Sequence, residues 1–369
     1  MASQQQLEIP KTHRTWTCVR ASSRYRSALQ LNQYSPLTSS SSSSTHLAPT
    51  SVLIRIAYSS LNPVDLFLVK AIPSWLPWRR DPIPAFDFAG AVVSVGRDVP
   101  AEFKRGDQVA GALVMKDIWV GKGTLAEYVE VDWRIVVKVP ENLSSAVGLN
   151  KLVGVFGIAG QTAAEMVRRA KGADVRGKKV LVYGASGGVG SFVVQICKGL
   201  GADKVWGVCS GGNKGLVEGL GGEVIDYTQY SNIQNHLAER FGNGNELDVV
   251  FECSENNNEL FSKAEKFLKA DGQFISIVGG WSQGLIPHLR NNYTPVLLGG
   301  VRRSYEIFLL TASGEIGGKV REYVERGIIR EMPVDSEFEM EEVVEAFERL
   351  ATGRARGKVV VRVGGDDAL

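Results

Sequence analysis

A glycine-rich turn at residues 184–190, set between a strand pattern and a helix pattern, constrains the fold more than any other feature. The residues before it, Lys179–Tyr183, are largely apolar and predict a buried strand. After the turn, apolar side chains recur at the three- and four-residue spacing of one helix face: Val189, Phe192, Val193, Ile196 and Leu200. A strand, a tight turn of small residues and an amphipathic helix form the first unit of a doubly wound α/β fold.

The same alternation continues along the middle of the chain. Separated by helical patterns, further apolar strand patterns lie around residues 205–209, 224–226, 249–251 and 274–278. Strands that alternate with helices predict a parallel sheet with helices on both faces. Before residue 150, short apolar strands are separated by glycine or proline turns, which indicates a β-rich domain. Near the end of the sequence we expect two helices and a last strand, at 318–325, 341–350 and 358–363.

Composition excludes several classes of protein. The 42 Lys and Arg residues nearly balance the 40 Asp and Glu residues, so the net charge of +2 gives no general attraction to nucleic acid. No apolar run reaches the roughly 18 residues of a membrane-spanning helix, so none is expected. The four cysteines and four histidines lie far apart, which predicts neither a disulfide framework nor a metal cluster. This cysteine usage fits a reducing compartment.

The first 65 residues allow two interpretations. Between Glu8 and Asp65 the sequence has no acidic residue, and it carries several arginines and a run of six serines from Ser39 to Ser44. An arginine- and serine-rich start is typical of a mitochondrial transit peptide. We favour a folded region in which two strands, at 15–19 and 52–56, flank a serine-rich loop at 38–50. We therefore expect a cytoplasmic protein, with a mitochondrial one as the alternative.

The glycine-rich turn has the context that a dinucleotide fingerprint requires, since it follows a strand and opens a helix. Small side chains let backbone N–H groups approach a pyrophosphate, and the helix N-terminus attracts its negative charge. The predicted pyrophosphate site comprises Ser186, Gly187, Gly188, Val189 and Gly190. The alternative is a tight turn without a ligand.

The end of the second strand indicates which dinucleotide binds. An NAD-selective fold places an acidic residue there for the ribose hydroxyls. Here residues 208–214 contain no Asp or Glu, and Ser210, Asn213 and Lys214 offer a hydroxyl, an amide and an ammonium group to a 2′-phosphate. The sequence therefore predicts NADPH, against the alternative of a surface loop with an incidental lysine.

Five sequence motifs resemble one family. They are Ser-Leu-Asn-Pro-Val-Asp at 60–65, Ile-Pro-Ala-Phe-Asp-Phe-Ala-Gly at 83–90, Phe-Lys-Arg-Gly-Asp-Gln-Val at 103–109, Gly-Thr-Leu-Ala-Glu-Tyr-Val at 123–129 and Arg-Ala-Arg-Gly-Lys-Val-Val at 354–360. From about residue 15 to 363 the chain resembles the medium-chain dehydrogenase/reductase superfamily. The similarity is greatest to its zinc-independent, quinone-oxidoreductase-like branch, which includes the reticulon-interacting mitochondrial reductases.

This resemblance implies an α/β fold with three parts. A GroES-like β-rich catalytic domain would span residues 1–150 and a Rossmann domain that binds NADP(H) residues 151–302. A C-terminal segment, 303–369, would return to the first domain. The resemblance also implies that Tyr227 borders the adenine ribose and that Val278, Gly279 and Gly280 line the nicotinamide. Arg356 and Lys358 would approach the cofactor in the cleft between the domains.

The family's chemistry is hydride transfer from NADPH to a quinone or to the C=C bond of an α,β-unsaturated carbonyl, so the implied substrate is a small lipophilic molecule. A trans-acting enoyl reductase of a biosynthetic pathway is an alternative within the same class. A cofactor-binding protein recruited for protein or RNA binding, without turnover, is the alternative from another class. Family members are often homodimers, which makes a dimer an expectation by analogy.

The resemblance also bears on metal and on catalytic groups. Zinc-dependent relatives have a cysteine and a Gly-His-Glu motif where this chain has residues 62–65 and Phe86-Asp87. We therefore expect no metal, and we expect Asn62 to donate a hydrogen bond to the substrate carbonyl instead. Asp65 is the second catalytic candidate, as part of a proton relay. The alternatives are that it stabilises a turn and that water protonates the product.

One loop departs from the family pattern. After the Asn-Pro-x-Asp motif, relatives usually continue with a basic residue, a glycine and a tyrosine, whereas this chain has two tryptophans among prolines at 73–78. We expect Trp75 and Trp78 to form an apolar wall for a flat or lipophilic substrate. A lid packed only for stability is the alternative.

Overall fold

The structure is a computed structural model. It describes residues 10–36, 47–72, 78, 81–170, 172, 174–242, 244–254, 259–278, 291, 293–294, 298 and 300–364. Most of the serine-rich loop, including the serine run itself, lies outside them.

Two sheets dominate the first part of the chain and its C-terminal return. The strands β1 (Thr12–Cys18) and β2 (Leu29–Pro36) form an antiparallel pair. Seven described strands form the larger sheet: β3 (Ser51–Leu61), β4 (Asp87–Val95), β5 (Gln108–Ala112), β6 (Tyr128–Asp132), β7 (Val136–Lys138), β14 (Val334–Glu339) and β15 (Lys358–Arg362). Their order is β14-β15-β3-β4-β5-β7, with β6 also paired to β3.

A parallel sheet forms the second body. Its six described strands are β8 (Lys179–Tyr183), β9 (Lys204–Cys209), β10 (Glu223–Asp226), β11 (Leu247–Glu252), β12 (Leu268–Ser276) and β13 (Ser304–Ile307). The order β10-β9-β8-β11-β12-β13 reverses direction between β8 and β11. Ligands of doubly wound sheets bind at such a reversal, at the carboxyl ends of the strands.

Helices cover both bodies. The described α-helices are α1 (Tyr25–Ala28), α2 (Pro63–Ala71), α3 (Met115–Trp119), α4 (Glu141–Val147), α5 (Leu149–Phe156), α6 (Ile158–Arg169), α7 (Gly188–Gly199), α8 (Lys214–Gly219), α9 (Ile233–Phe241), α10 (Glu259–Ser262), α11 (Gly314–Glu325) and α12 (Val343–Ala351). Short 3-10 turns lie at Trp133–Ile135, Gly211–Asn213, Tyr227–Gln229, Ala264–Lys266 and Met340–Glu342. Within the described ranges, no helix has both the length and the apolar character that a bilayer crossing requires.

Apolar clusters stabilise the two bodies, and one of them, around Phe156 and Phe192, also contains side chains of β3, β4, β5, β7 and β15. Phe88, Val109 and Phe347 belong to the core of the seven-stranded sheet. The parallel sheet buries one cluster on each face, one around Phe156 and Phe192 and the other around the aromatic side chains of the β11–β13 side. Burial on both faces explains the continuous apolar runs of the strands β8, β9 and β11, which show little of the alternation seen in half-exposed strands.

The predicted fold class, a β-rich domain plus a Rossmann parallel-sheet domain, is confirmed. The strand at Ser304–Ile307 pairs with β12, so the expected division at residue 302 falls before the last described strand of the parallel sheet. The return to the first sheet is made by β14 and β15. The helices α4–α6 and the strand β2 had no counterpart in the sequence prediction.

The close packing of α7 on β8 requires glycine at position 190. A Cβ built on Gly190 would lie 2.2 Å from the carbonyl oxygen of Gly184 and 2.9 Å from the Cα of Ala185, both backbone atoms. By contrast, Gly318 lies in the middle of α11, and a Cβ there would meet no heavy atom within 4 Å. The two glycines thus offer a matched pair of Gly→Ala substitutions.

We predict opposite effects of these two substitutions on the free energy of unfolding. Gly190→Ala should lower it by about 1–3 kcal/mol, because backbone has to move to admit the methyl group. Gly318→Ala should raise it by about 0.5–1 kcal/mol, because alanine loses less backbone entropy in a helix. Urea unfolding of the purified variants measures both, and equal effects would contradict the packing argument.

Candidate active site

The glycine-rich turn lies at the reversal of the parallel sheet. Gly184 has a left-handed φ of +83°, and the amides of Gly184 and Ala185 both bond to the carbonyl of Val208 at 3.1 Å. A Cβ at Gly187 would meet only the Gly184 oxygen, at 3.4 Å. The space beside Gly187, at the start of α7, is therefore open for a pyrophosphate. The first N–H groups of α7 have no helical acceptors and can donate to such an anion.

The three predicted 2′-phosphate ligands lie together on the loop after β9. The side-chain amide nitrogen of Asn213 donates to the hydroxyls of Ser186 (3.0 Å) and Ser210 (3.2 Å), which ties this loop to the glycine-rich turn. Lys214 is 63% exposed and lies 3.7 Å from the carboxylate of Glu218. Tyr227 is 46% exposed and follows β10 beside the same loop.

The sequence analysis missed Asp226, which lies against this loop. A Cβ on Gly211 would come within 2.4 Å of its carboxylate, which also accepts bonds from the amide and hydroxyl of Thr228. The hydroxyl bond of Thr228 is the main reason that the pKa of Asp226 lies below its usual value. The pairing register of β9 and β10 could have indicated that Asp226 lies near the loop, because Asp226 pairs with Cys209 at the ends of these adjacent strands.

The end of the C-terminal segment, which belongs to the body of the seven-stranded sheet, contacts the glycine-rich turn of the parallel-sheet body. The amide of Gly357 donates to the carbonyl of Ser186 at 3.0 Å. A Cβ on Gly212 would lie 3.5 Å from a guanidinium nitrogen of Arg356, so the predicted phosphate loop and this arginine are neighbours. Among the described residues, the Arg356 guanidinium has no carboxylate partner within salt-bridge distance.

A buried polar network lies next to the turn, and Lys358 is at its centre. The ammonium group of Lys358 donates to the oxygens of three residues, Asn62 Oδ1 at 2.7 Å, Leu61 O at 2.9 Å and Asp87 Oδ2 at 3.1 Å. Asp87 is fully buried, and it also accepts bonds from Ser60 Oγ at 2.7 Å and from the amide of Ile158 at 2.7 Å. The network thus joins β3, β4, β15 and the start of α6.

Asn62 has one side-chain hydrogen left over. Its amide nitrogen donates to Asp87 Oδ2 at 2.9 Å, while its Oδ1 accepts from Lys358. No described residue accepts the second amide hydrogen, so it remains for a substrate or cofactor oxygen. The stem of Lys358 reaches within 3.2 Å of the Cβ position of Gly188, which brings this hydrogen donor close to the dinucleotide turn.

Asp65 lies on the other side of Asn62, in the first turn of α2. Its Oδ2 accepts the backbone N–H of Asn62 at 2.7 Å, and among the described residues its Oδ1 has no hydrogen-bond partner. Burial is the main cause that raises the pKa of Asp65 to about 8, and the charge of Asp87 adds to this shift. A small, largely apolar cavity adjoins it, lined by Cys18, Leu68, Val69, Ile83, Ala85 and Ile118, among others.

Of the remaining predicted site residues, the structure describes only Val278 and Trp78. Val278 lies past the end of β12, where its N–H donates to the hydroxyl of Ser276 at 3.0 Å. Trp78 is 54% exposed. Gly279, Gly280 and Trp75 lie outside the described residues, so the nicotinamide lining and the apolar wall stay predictions.

The residues at the positions that correspond to the zinc ligands of zinc-dependent relatives do not suit a metal ion. Within the described ranges, no three His, Cys, Asp or Glu side chains come together in a way that could hold one. Asn62 and Asp87 already face the ammonium of Lys358, which supplies a positive charge at that point. A second cation beside it would be repelled.

Two family models match the chain. Residues 48–141 match the alcohol dehydrogenase GroES-like domain, and residues 220–361 match a family described as zinc-binding dehydrogenase. The first match covers strands β3 to β7 of the seven-stranded sheet, and the second runs from β10 of the parallel sheet to β15 of the seven-stranded sheet.

Sequence relatives and a solved structure indicate the same family. The chain is 36% identical over 320 residues to a 2-methylene-furan-3-one reductase of Solanum lycopersicum, covering 84% of this chain and 71% of that protein. It is 33% identical over 322 residues to an NADPH-dependent alkenal/one oxidoreductase of Arabidopsis thaliana, with the same two coverages, 84% and 71%. The solved quinone oxidoreductase of Coxiella burnetii superimposes with a TM-score of 0.75 at 22% identity, covering 96% of this chain and 100% of its own. The chain therefore belongs to the medium-chain dehydrogenase/reductase superfamily and to its zinc-independent, quinone-oxidoreductase-like branch.

Proposed function

We propose that this protein reduces a small quinone or the C=C bond of an α,β-unsaturated carbonyl with NADPH and without a metal ion. The observation that carries the proposal is the second amide hydrogen of Asn62, which lies beside the dinucleotide turn and has no acceptor among the described residues. The relatives that are named as enone and alkenal reductases support this substrate class.

The chemistry follows from the charge that develops on the substrate oxygen. When bound, NADPH supplies the hydride. As the double bond is reduced, negative charge builds up on the carbonyl oxygen, and the amide hydrogen of Asn62 can stabilise it there. A donor that is already held in place is worth more than one in water, because it needs no reorganisation during the reaction.

A turnover screen tests the proposed function. We expect the purified protein to oxidise NADPH in the presence of small enones or quinones, and dialysis against a strong chelator should leave both folding and turnover unchanged. Carrier-bound enoyl chains in the same panel distinguish a trans-acting enoyl reductase. Stoichiometric zinc in the protein, or NADPH binding with no turnover of any substrate, would contradict the proposal.

We expect NADPH to be preferred to NADH because four polar or basic residues lie on or beside the loop that is predicted to hold the 2′-phosphate. Ser210, Asn213 and Lys214 lie on one loop, and the guanidinium of Arg356 adjoins the same loop from the C-terminal segment. Arg356 is the stronger cation candidate, since Lys214 already lies 3.7 Å from Glu218. The carboxylate of Asp226 opposes a phosphate, so the arginine would also offset its charge.

We predict that Arg356→Ala and Lys214→Ala both weaken the binding of NADPH and leave the binding of NADH almost unchanged. A charge-assisted hydrogen bond contributes about 1.5–3 kcal/mol, which corresponds to roughly 10- to 100-fold in affinity. The larger effect is expected for Arg356. Fluorescence titration with both cofactors measures it, and Arg354→Ala in the same exposed segment is the matched control. Equal weakening of both cofactors would show that these side chains are structural.

Asp65 is poorly placed as a proton relay. One of its oxygens is bound to the amide of Asn62, and the other lies in buried surroundings beside a mostly apolar cavity. We infer that it orders the start of α2 in its protonated form and that water protonates the product.

The raised pKa of Asp65 gives a stability prediction. The native carboxyl stays protonated up to about pH 8, whereas the unfolded one ionises near 3.8, so the unfolded chain binds fewer protons between these values. The free energy of unfolding should therefore fall as pH rises from about 4 to 8, with a limiting slope of about 1.4 kcal/mol per pH unit. Urea unfolding at pH 5 and pH 7.5 should show a smaller loss for Asp65→Asn than for the wild type. Identical losses would mean that Asp65 is ionised in the native state.

A further inference from the structure

We propose that Lys358 is a positioning residue that fixes the amide of Asn62 with its second hydrogen available to the substrate oxygen. This inference rests on the proposed reductase function. It assigns to Lys358 a role through Asn62, in place of the direct cofactor contact that the family resemblance implies.

The orientation of the Asn62 amide follows from the two charged groups that flank it. Lys358 can only donate hydrogen bonds and faces Oδ1 at 2.7 Å, whereas the carboxylate of Asp87 can only accept them and faces Nδ2 at 2.9 Å. A half-turn of the amide would point its NH₂ at the ammonium group and its oxygen at the carboxylate. Both contacts would then be repulsive, so only one orientation is compatible with the pair.

Lys358 has no hydrogen left for a cofactor phosphate. Its three ammonium hydrogens are matched by the three oxygens of Leu61, Asn62 and Asp87, and only 5% of its side chain is exposed. Its aliphatic stem passes the start of α7, since a Cβ on Gly188 would lie 3.2 Å from its Cδ. The lysine therefore approaches the dinucleotide turn with methylene groups and directs its charge towards Asn62.

Backbone contacts hold Lys358 at this point. Its amide donates to the carbonyl of Pro333 at 2.9 Å, and the preceding Gly357 adopts a left-handed φ of +86°. A Cβ on Gly357 would lie 2.1 Å from the Pro333 oxygen, so a side chain there would displace the segment. The position of the ammonium is thus determined by β15 and by the bond from Gly357 to Ser186.

A double-mutant cycle tests this role. The variants are Lys358→Met, which keeps an apolar stem, Asn62→Ala and the combination of both, with Lys269→Met at a surface ion pair as the matched control. Loss of one preorganised donor typically lowers kcat by about 10²–10³-fold, which is the scale expected for Asn62→Ala. Lys358→Met should lower kcat by at least about 10-fold when Asn62 is present and by less than about 2-fold when it is absent, as expected for coupled residues.

Two results would overturn the proposal. Equal losses of kcat in both backgrounds would mean that Lys358 acts independently of Asn62. A loss of NADPH affinity that matches the loss of turnover would mean that Lys358 binds the cofactor directly. We expect the dissociation constant for NADPH to stay within about 2-fold of the wild type, which a general structural defect would not allow.

Two controls cover a folding defect of the variant and the absence of turnover in the wild type. Lys358→Met leaves the charge of Asp87 buried without its partner, so the cycle is repeated with Lys358→Met/Asp87→Asn, in which both charges are removed together. If the wild type reduces no quinone or enone, the proposed function fails, and the side-chain amide signals of Asn62 in ¹⁵N-asparagine-labelled protein still decide the positioning role. Slow hydrogen exchange of these signals in the wild type and fast exchange in Lys358→Met support it, while unchanged exchange overturns it.

Discussion

The buried pair of Lys358 and Asp87 holds together parts of the chain that are far apart in sequence. The two side chains are 5% and 0% exposed, and a charge so placed is costly unless hydrogen bonds satisfy it. Asp87 accepts four such bonds, from Ser60, Asn62, Ile158 and Lys358. Satisfying these charges therefore forces β3, β4, β15 and α6 into one arrangement, and the proposed donor Asn62 is part of it.

The tripeptide Arg356-Gly357-Lys358 links this network with the cofactor region. Each of its residues has a different neighbour: Arg356 adjoins Gly212, Gly357 bonds to Ser186, and Lys358 contacts Asn62. Three consecutive residues thus reach the predicted phosphate loop, the glycine-rich turn and the proposed hydrogen donor. Because they belong to β15 and the turn before it, the two bodies of the protein are bound to each other where the chemistry is proposed.

The sequence predicted those parts of the structure that local patterns specify. The turn at 184–190, its strand and its helix were predicted within a residue or two, because apolar periodicity and glycine spacing are local properties. The roles of Asp87 and Asp226 were missed, because their partners come from distant segments. An aspartate within the apolar motif at 83–90 was a signal that a buried partner must exist, yet only the fold identifies Lys358 as that partner. The residues proposed for the site were named from motifs, and their roles stay predictions.

The placement of β15 has a consequence for how the chain folds during synthesis. This strand, at residues 358–362, lies between β14 and β3, and it pairs with a strand that the ribosome produced about 300 residues earlier. Until β15 emerges, the part of β3 from Tyr58 to Leu61 presents an unpaired edge, since β6 pairs only with the first half of this strand, and Asp87 lacks its cation. The parallel sheet between them can form first, since all its described strands precede residue 308. We therefore expect the first domain to be completed last, and a nascent chain stalled before β15 to depend on chaperones that shield that open edge.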